Sequence, residues 1–231
     1  YDHVEKAMDD FAAATGRQYK PFEFYGHPQA ERVIFIMGSA IGTCEEVVDE
    51  LLSRGEKVGV LKVRLYRPFS AAHLLAALPE SARAVAVLDR TKEPGALAEP
   101  LYLDVMTALA EAFNRGERET LPRTIGGRYG LSSKEFGPEC VLAIFSELQA
   151  AQPKPRFTVG IYDDVTNLSL PLGENTLPAE AKLEALFYGL GSDGSVSATK
   201  NNIKIIGNST PWFSIINKSK YFITSYFRII F

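Results

Sequence analysis

Gly189, Gly191 and Gly194 form a GxGxxG run directly after the apolar segment LEALFYG, with Lys200 a short way downstream. Glycines at this spacing let backbone amides approach a pyrophosphate at a helix N-terminus, and a nearby lysine adds electrostatic attraction for phosphate. The acidic residue that would hold a ribose about 20 positions later is missing. A tight turn of purely structural meaning is therefore the stronger reading, and nicotinamide dinucleotide binding is not expected.

A second set of candidates is charged. Asp89, Arg90, Lys92 and Glu93 follow the apolar run AVAVLD, at the end of a strand where α/β sheets place functional loops. Such mixed charges either contact a substrate or form salt bridges to a neighbouring domain, and interdomain pairing is the expectation. Arg64, Arg67 and Arg128 invite the same reading, because guanidinium forks pair well with carboxylates and phosphates. His3, His27 and His73 have no carboxylate or nucleophile at a recognisable spacing, so a catalytic triad is not expected. Asp163 and Asp164 are adjacent, and on a strand they would point to opposite faces rather than form an acid/base pair. Cys44 beside a helix start could have a lowered thiolate pKa, although burial as a small apolar residue is expected. Cys44 and Cys140 are the only cysteines and lie in no CxxC context. Neither an iron-sulfur cluster nor a structural zinc site can be assembled from them. No catalytic residue and no metal ligand is expected within the chain.

Composition narrows the partners. With 46% hydrophobic and 23% charged residues in a chain of 231, there is enough apolar material for one good core or for one domain and part of another. A net charge of -3 without a Lys/Arg-rich run gives no footprint for nucleic acid or an anionic membrane surface. The start, YDHVEKAMDD, lacks the apolar stretch of a secretory signal, and a reducing, cytoplasmic setting is expected. The final segment WFSIINKSKYFITSYFRIIF is interrupted by Lys218, Lys220 and Arg228, which argues against a membrane span.

The elements that would position these residues read as βαβ units between Arg32 and Ala150. Val33 to Met37 is a buried strand, GSAIG a turn, and Thr43 to Arg54 a helix with Val47, Val48, Leu51 and Leu52 on one face. Thr43 and Glu46 have capping-box spacing, and Gly55 suits a left-handed C-terminal cap. Val58 to Val63 and Ala84 to Asp89 are further strands. Ser70 caps a short helix before Pro79, and Leu101 to Asn114 forms a longer one. GGRYGL reads as a glycine-rich loop, and Ser132 with Glu135 as a second capping box opening a helix through Phe136, Val141, Ile144, Phe145 and Leu148. Pro153 and Pro155 read as a linker before a second unit that begins with the strand FTVGIYDDV. From Asn208 the composition shifts: 15 of the last 24 residues are Phe, Tyr, Ile, Asn or Lys, and no acidic residue follows Asp193. The fold class is α/β, a parallel sheet with flanking helices followed by an incomplete second α/β unit. Residues 1–31 form a lead-in, 32–152 the first domain, 153–207 part of a second and 208–231 an aberrant tail prone to aggregation.

Seven long strings in one order then carry a resemblance. They are GRQYKPFEFYG, MGSAIGTCEEVVDEL, KVGVLKVRLYRPFS, VLDRTKEPGALAEPLYLDV, GGRYGLSSKEF, FTVGIYDDVTNLSL and FYGLGSDGSVSATKNNIKIIG. Together they make the chain resemble an internal piece of the pyruvate:ferredoxin (flavodoxin) oxidoreductases. The resemblance implies that residues 32–152 are similar to the C-terminal domain of transketolase and that residues 153–207 begin the acceptor-oxidoreductase gamma domain. It implies a parent enzyme, a homodimer, that decarboxylates pyruvate on thiamine diphosphate with Mg²⁺. The parent would pass electrons through 4Fe-4S clusters to ferredoxin or flavodoxin and transfer the acetyl group to coenzyme A. The chain alone is expected to bind none of these firmly and to be inactive without the remaining domains. If Gly189, Gly191, Gly194 and Lys200 bind anything, the resemblance favours coenzyme A. The alternative is a non-catalytic subunit or binding module of a split 2-oxoacid:acceptor oxidoreductase.

Overall fold

The structure is a computed structural model that describes residues 1–162, 165–174, 183–188, 205, 213–218 and 224–230. It divides into two compact units, Tyr1–Leu177 and Pro178–Phe231.

In the first unit, six strands form one sheet: β1 (Phe22–Gly26), β2 (Arg32–Ile36), β3 (Val58–Val63), β4 (Ala84–Asp89), β5 (Arg123–Arg128) and β6 (Arg156–Thr158), in the order β1-β3-β2-β4-β5-β6. All neighbours pair in parallel except β1, which runs antiparallel along β3. Helices cover both faces. α2 (Ile41–Ser53) and α5 (Pro138–Gln149) pack on one side with Ile34, Ile36, Val60, Leu88 and Phe157. On the other, α3 (Ala71–Ala77) and α4 (Pro100–Asn114) pack with Val33, Phe35, Leu61, Val85 and Val87. This double cover explains why β3 and β4 read as nearly continuous apolar runs, broken only by Lys62 and Asp89, and are buried at every position. The α/β class and parallel sheet expected from the βαβ pattern are present.

Several local expectations change. α2 starts at Ile41 with Ala40 as its N-cap and no side-chain cap bond, so Thr43 lies inside the helix and the Thr43–Glu46 capping box does not form. The turn GSAIG winds straight into the helix, which leaves the hydroxyl no orphan amide at the start. Gly55 does take a positive φ of 81°, and its amide bonds Leu52 O. The second capping box also fails. Ser132 has φ 53° in a short 3₁₀ turn, and α5 begins at Pro138 behind Gly137, where proline needs no amide partner.

The first two glycines of GGRYGL, Gly126 and Gly127, lie in β5 and not in a loop, whereas Gly130 follows the strand with a φ of 61°. A Cβ on Gly127 would run into the Phe157 ring and come within 2.7 Å of Leu88 Cδ2, so the strand passes here only because the side chains are absent. Past Pro153 and Pro155 the chain stays in the same sheet: β6 pairs with β5, and the compact unit extends to Leu177. The lead-in holds a helix, α1 (Asp2–Thr15), and the edge strand β1.

In the second unit, β7 (Leu183–Tyr188), β8 (Phe213–Lys218) and β9 (Thr224–Ile230) form an antiparallel sheet of order β7-β9-β8. The described part of LEALFYG, Leu183–Tyr188, is thus a strand, as expected. β8 and β9 belong to the stretch of changed composition.

Candidate functional site

The carboxyl ends of β2 to β6 share one edge, where open α/β sheets bind ligands. Asp89 closes β4 there and is 3% exposed. Its carboxylate accepts the amides of Leu101 (3.0 Å) and Tyr102 (3.1 Å), two of the orphan donors at the start of α4. It serves as the N-terminal cap that Glu99, at the N-cap position, does not supply with its own side chain. Glu99 turns instead to Arg128, at 3.0 Å from Nε. Burial, followed by the nearby Glu99 and Asp104 charges, raises the Asp89 carboxyl above the ordinary carboxylate value against the two amide bonds that lower it.

The sign follows from the raised value. Folded Asp89 holds its proton to higher pH than the unfolded chain does, so its contribution to stability is complete below the ordinary carboxylate value and falls as pH rises through the raised one. Asp89→Asn cannot titrate and keeps one acceptor oxygen for two amides. It should cost about 1–3 kcal/mol, and in urea unfolding the gap to wild type should widen as pH falls through the raised value toward the ordinary carboxylate value. A constant gap would show that the carboxyl does not titrate in this range.

Most of the remaining charged candidates find partners within the unit. Arg67 reaches Asp104 (2.7 Å) and lies 3.8 Å from the Tyr66 ring centroid, and Tyr66 donates to the same carboxylate at 3.0 Å. Arg64 pairs with Glu23 (3.1 Å) and stacks on Tyr19. Arg90 donates to Gly130 O (3.2 Å), while Lys92 and Glu93 stay exposed. Where the sheet connections diverge, between β2 and β4, the chain fills the crevice itself: Tyr129 donates across it to Met37 O (2.9 Å) and packs on Phe136. Burial pushes the Tyr129 hydroxyl up to about 12.

Two arrangements escaped the sequence reading. Lys62, 3% exposed, is held between Glu23 and Glu45 (2.8 Å to the latter), with the Tyr25 ring centroid 5.3 Å away. A lone lysine inside VGVLKV gave no signal of two carboxylates arriving from β1 and α2. Glu23 is lowered overall: burial raises it, but the bonds and charges of Lys62 and Arg64 outweigh that.

His73 gains partners that its spacing hid. Its Nδ1 lies 2.6 Å from Ser70 Oγ, its Nε2 3.3 Å from Glu5 on α1, and the Tyr1 ring stacks on it at 4.4 Å. This is a clasp between α1 and α3 and not a nucleophile. Ser70 Oγ already serves α3, as its N-cap acceptor for the His73 amide. Ser70→Ala should cost about 1 kcal/mol in urea unfolding, whereas Ser70→Gly should cost only a few tenths.

An apolar cleft of about 750 Å³ lies beside this clasp, lined by Val4, Met8, Phe11, Tyr19, Ile41 and Val63 among others. Cys44 and Cys140 are both buried, and burial raises both thiols, Cys140 to about 11. They are therefore structural residues, as the burial reading of Cys44 anticipates. Among the described residues there is no group of three His, Cys, Asp or Glu able to hold a metal ion. The two cysteines of the whole chain do not fit a 4Fe-4S cluster, which takes four thiolates. Gly189, Gly191, Gly194, Lys200, Asp163 and Asp164 lie outside the described residues. No described helix is long and apolar enough to cross a membrane.

The fold and this edge define an α/β sheet unit in which Asp89, Arg64, Arg67, Arg90 and Arg128 find partners within the unit, while Lys92 and Glu93 stay exposed. Comparison with known proteins places it more closely. The sequence profile of the pyruvate:ferredoxin oxidoreductase core domain II matches residues 30–130. The probable pyruvate-flavodoxin oxidoreductase of Escherichia coli K12 is 87% identical over 214 residues, 93% of this chain and 18% of that protein. The pyruvate-flavodoxin oxidoreductase of Trichormus variabilis is 56% identical over 90% of this chain and 17% of its own length. The pyruvate:ferredoxin oxidoreductase of Moorella thermoacetica is 53% identical over 91% and 18%. The chain belongs to the pyruvate:ferredoxin (flavodoxin) oxidoreductase family as a segment of it, spanning about 18% of the length of these curated relatives.

Proposed function

We propose that this chain is the core domain II scaffold of a pyruvate:ferredoxin/flavodoxin oxidoreductase, with catalysis carried by parts of the protein outside it. The observation that carries this reading is the internal pairing of the charged carboxyl edge, together with 87% identity to a segment of the Escherichia coli relative. Asp89, Arg67, Arg128 and Tyr129 brace the loops at the sheet edge and leave no base beside a free nucleophile among the described residues. The complete enzyme would oxidatively decarboxylate pyruvate with thiamine diphosphate and Mg²⁺, conduct electrons through 4Fe-4S clusters to ferredoxin or flavodoxin, and acetylate coenzyme A.

In this reading the partners are the remaining domains of the polypeptide and a second copy of it, and the setting is cytoplasmic. Residues 32–152, with β6 completing their sheet, would be the transketolase C-terminal-like domain, the gamma domain would begin after that first unit, and 208–231 would be foreign to the family pattern. Gly189, Gly191, Gly194 and Lys200 would take part at most in closing over coenzyme A.

Grafting residues 1–177 of this chain into the matching place of the Escherichia coli relative tests the scaffold role. The chimera should reduce flavodoxin in the presence of pyruvate at a rate within a few-fold of its parent. A stable, assembled chimera with no activity would mean that this segment supplies chemistry of its own.

A further inference from the structure

The two outer strands of the six-stranded sheet are finished differently. Beyond β6 the chain returns alongside its own strand: Thr158 N donates to Leu168 O at 3.1 Å, and Leu170 N to Thr158 O at 2.8 Å. The edge at β1 has no such cover. Its pairing with β3 runs from Phe22 opposite Val63 to Gly26 opposite Gly59, and the bonds from Arg64 N to Pro21 O and from His27 N to Val58 O, both 2.9 Å, fix the phase of the ladder. Bonded and non-bonded pairs alternate in an antiparallel ladder, so Glu23 and Tyr25 turn their amides and carbonyls toward β3. Phe22, Phe24 and Gly26 turn theirs outward, where they have no protein partner among the described residues.

Native sheets commonly guard an open edge with charged side chains or with proline. FEFYG contains neither lysine nor proline, and its one charge, Glu23, is spent inward on Lys62 and on Arg64 at 3.1 Å. The ring of Phe24 lies where a side chain on Gly59 would stand, which holds β1 close against β3. The outward amides and carbonyls are therefore ordered before any partner arrives, which lowers the cost of pairing.

We propose that β1 is a dimerisation edge, at which a second copy of this chain adds its own β1 in antiparallel orientation and joins the two sheets into one. With the two-fold axis at Phe24, Phe24 lies opposite Phe24 of the second copy and Phe22 opposite Gly26 of the second copy, so each outward amide meets an outward carbonyl. The match is self-complementary, as a closed two-fold contact requires. On the other face of the sheet Glu23 falls opposite Tyr25, so no like charges meet, and the opposed phenylalanines form a favourable cross-strand pair. Two strands of 5 residues cover much less than the roughly 1,200–2,000 Å² of a stable interface, so the dimer is weak and forms only at high concentration.

Sedimentation velocity of the 231-residue chain from low micromolar to near-millimolar concentration, with amide hydrogen exchange at both limits, tests this. The expected result is a monomer–dimer equilibrium in which the amides of Phe22, Phe24 and Gly26 exchange freely in the dilute sample and slow by about tenfold or more in the concentrated one. The amides of Glu23 and Tyr25, bonded to β3, should be slow in both. Phe24→Pro removes an outward amide without touching a bond to β3 and should weaken association by about tenfold or more. Phe24→Ala loses the ring but keeps the amide and should dimerise within a few-fold of wild type. If Phe24→Pro folds poorly, the exchange of the unaltered chain decides. A chain that stays monomeric throughout, or undiminished association of a folded Phe24→Pro, would overturn the proposal. So would a dimer in which the three outward amides remain unprotected, which assigns association to another surface, or three amides already slow in the dilute monomer, which places another segment of the chain on the edge.

Discussion

Replacing Phe157 by alanine should lower the unfolding free energy of the first unit by about 3–5 kcal/mol, the range for deleting a large aromatic side chain from a packed core. Phe157 is fully buried on the face of the sheet that holds α2 and α5, together with Leu88, Val141 and Ile144. Its ring occupies the space that Gly127 vacates on the neighbouring strand. Because the glycine has no side chain to move into the void, the cavity cannot collapse from that side, and the cost should fall in the upper part of the range. Urea unfolding followed by circular dichroism reads it. A change below about 1 kcal/mol would mean that the core is complete before Pro153 and that β6 adds little.

The second large effect is expected at Lys62. Lys62→Met keeps the volume and apolar stem but removes the cation shared by Glu23 and Glu45, leaving two partly covered carboxylates face to face. Breaking a buried pair from one side costs about 3–5 kcal/mol. The carboxylates retain some water contact, their side chains being 29% and 33% exposed, so about 2–4 kcal/mol is expected here. The triple change Lys62→Met, Glu23→Gln, Glu45→Gln should recover most of it, since no uncompensated charge is then left.

The pH dependence adds a check. Glu23 is held below its ordinary value, so its contribution is present above that value and is lost as pH falls through the lowered one. The single Lys62→Met variant should therefore lose less stability to acid than wild type does. An equally steep acid loss in both would show that Lys62 is not what holds Glu23 down.

The buried strands, the flanking helices and the Ser70 cap were legible because each rests on local pattern: nearly continuous apolar runs, helical spacing, a hydroxyl before a helix. The misreadings share a different cause. GGRYGL looks like a loop because glycine usually breaks a strand, and only the distant ring of Phe157 reveals why a strand needs Gly127. Thr43–Glu46 and Ser132–Glu135 had the right spacing for caps, but the preceding turns decided where α2 and α5 begin. β1 escaped notice because FEFYG is a short, half-exposed edge whose pairing with β3 is antiparallel.

Of the candidate site, the sequence marked the charged carboxyl edge, and expected its charges to serve neighbouring domains. The partners found are internal, such as Asp104 for Arg67 and Glu99 for Arg128, and no spacing in the sequence encodes them. His73 with Glu5 and Lys62 with its two carboxylates are likewise products of the tertiary fold, joining residues from separate elements.

The central claim is that this chain folds as a scaffold and does not itself turn over pyruvate. The most direct measurement is pyruvate-dependent reduction of ferredoxin or flavodoxin by the purified chain, with thiamine diphosphate, Mg²⁺ and coenzyme A supplied. The same sample must be shown to be folded by a cooperative urea transition. A cooperative transition and no reduction above the rate without protein are expected. Reduction that scales with the amount of chain and disappears without pyruvate would contradict it.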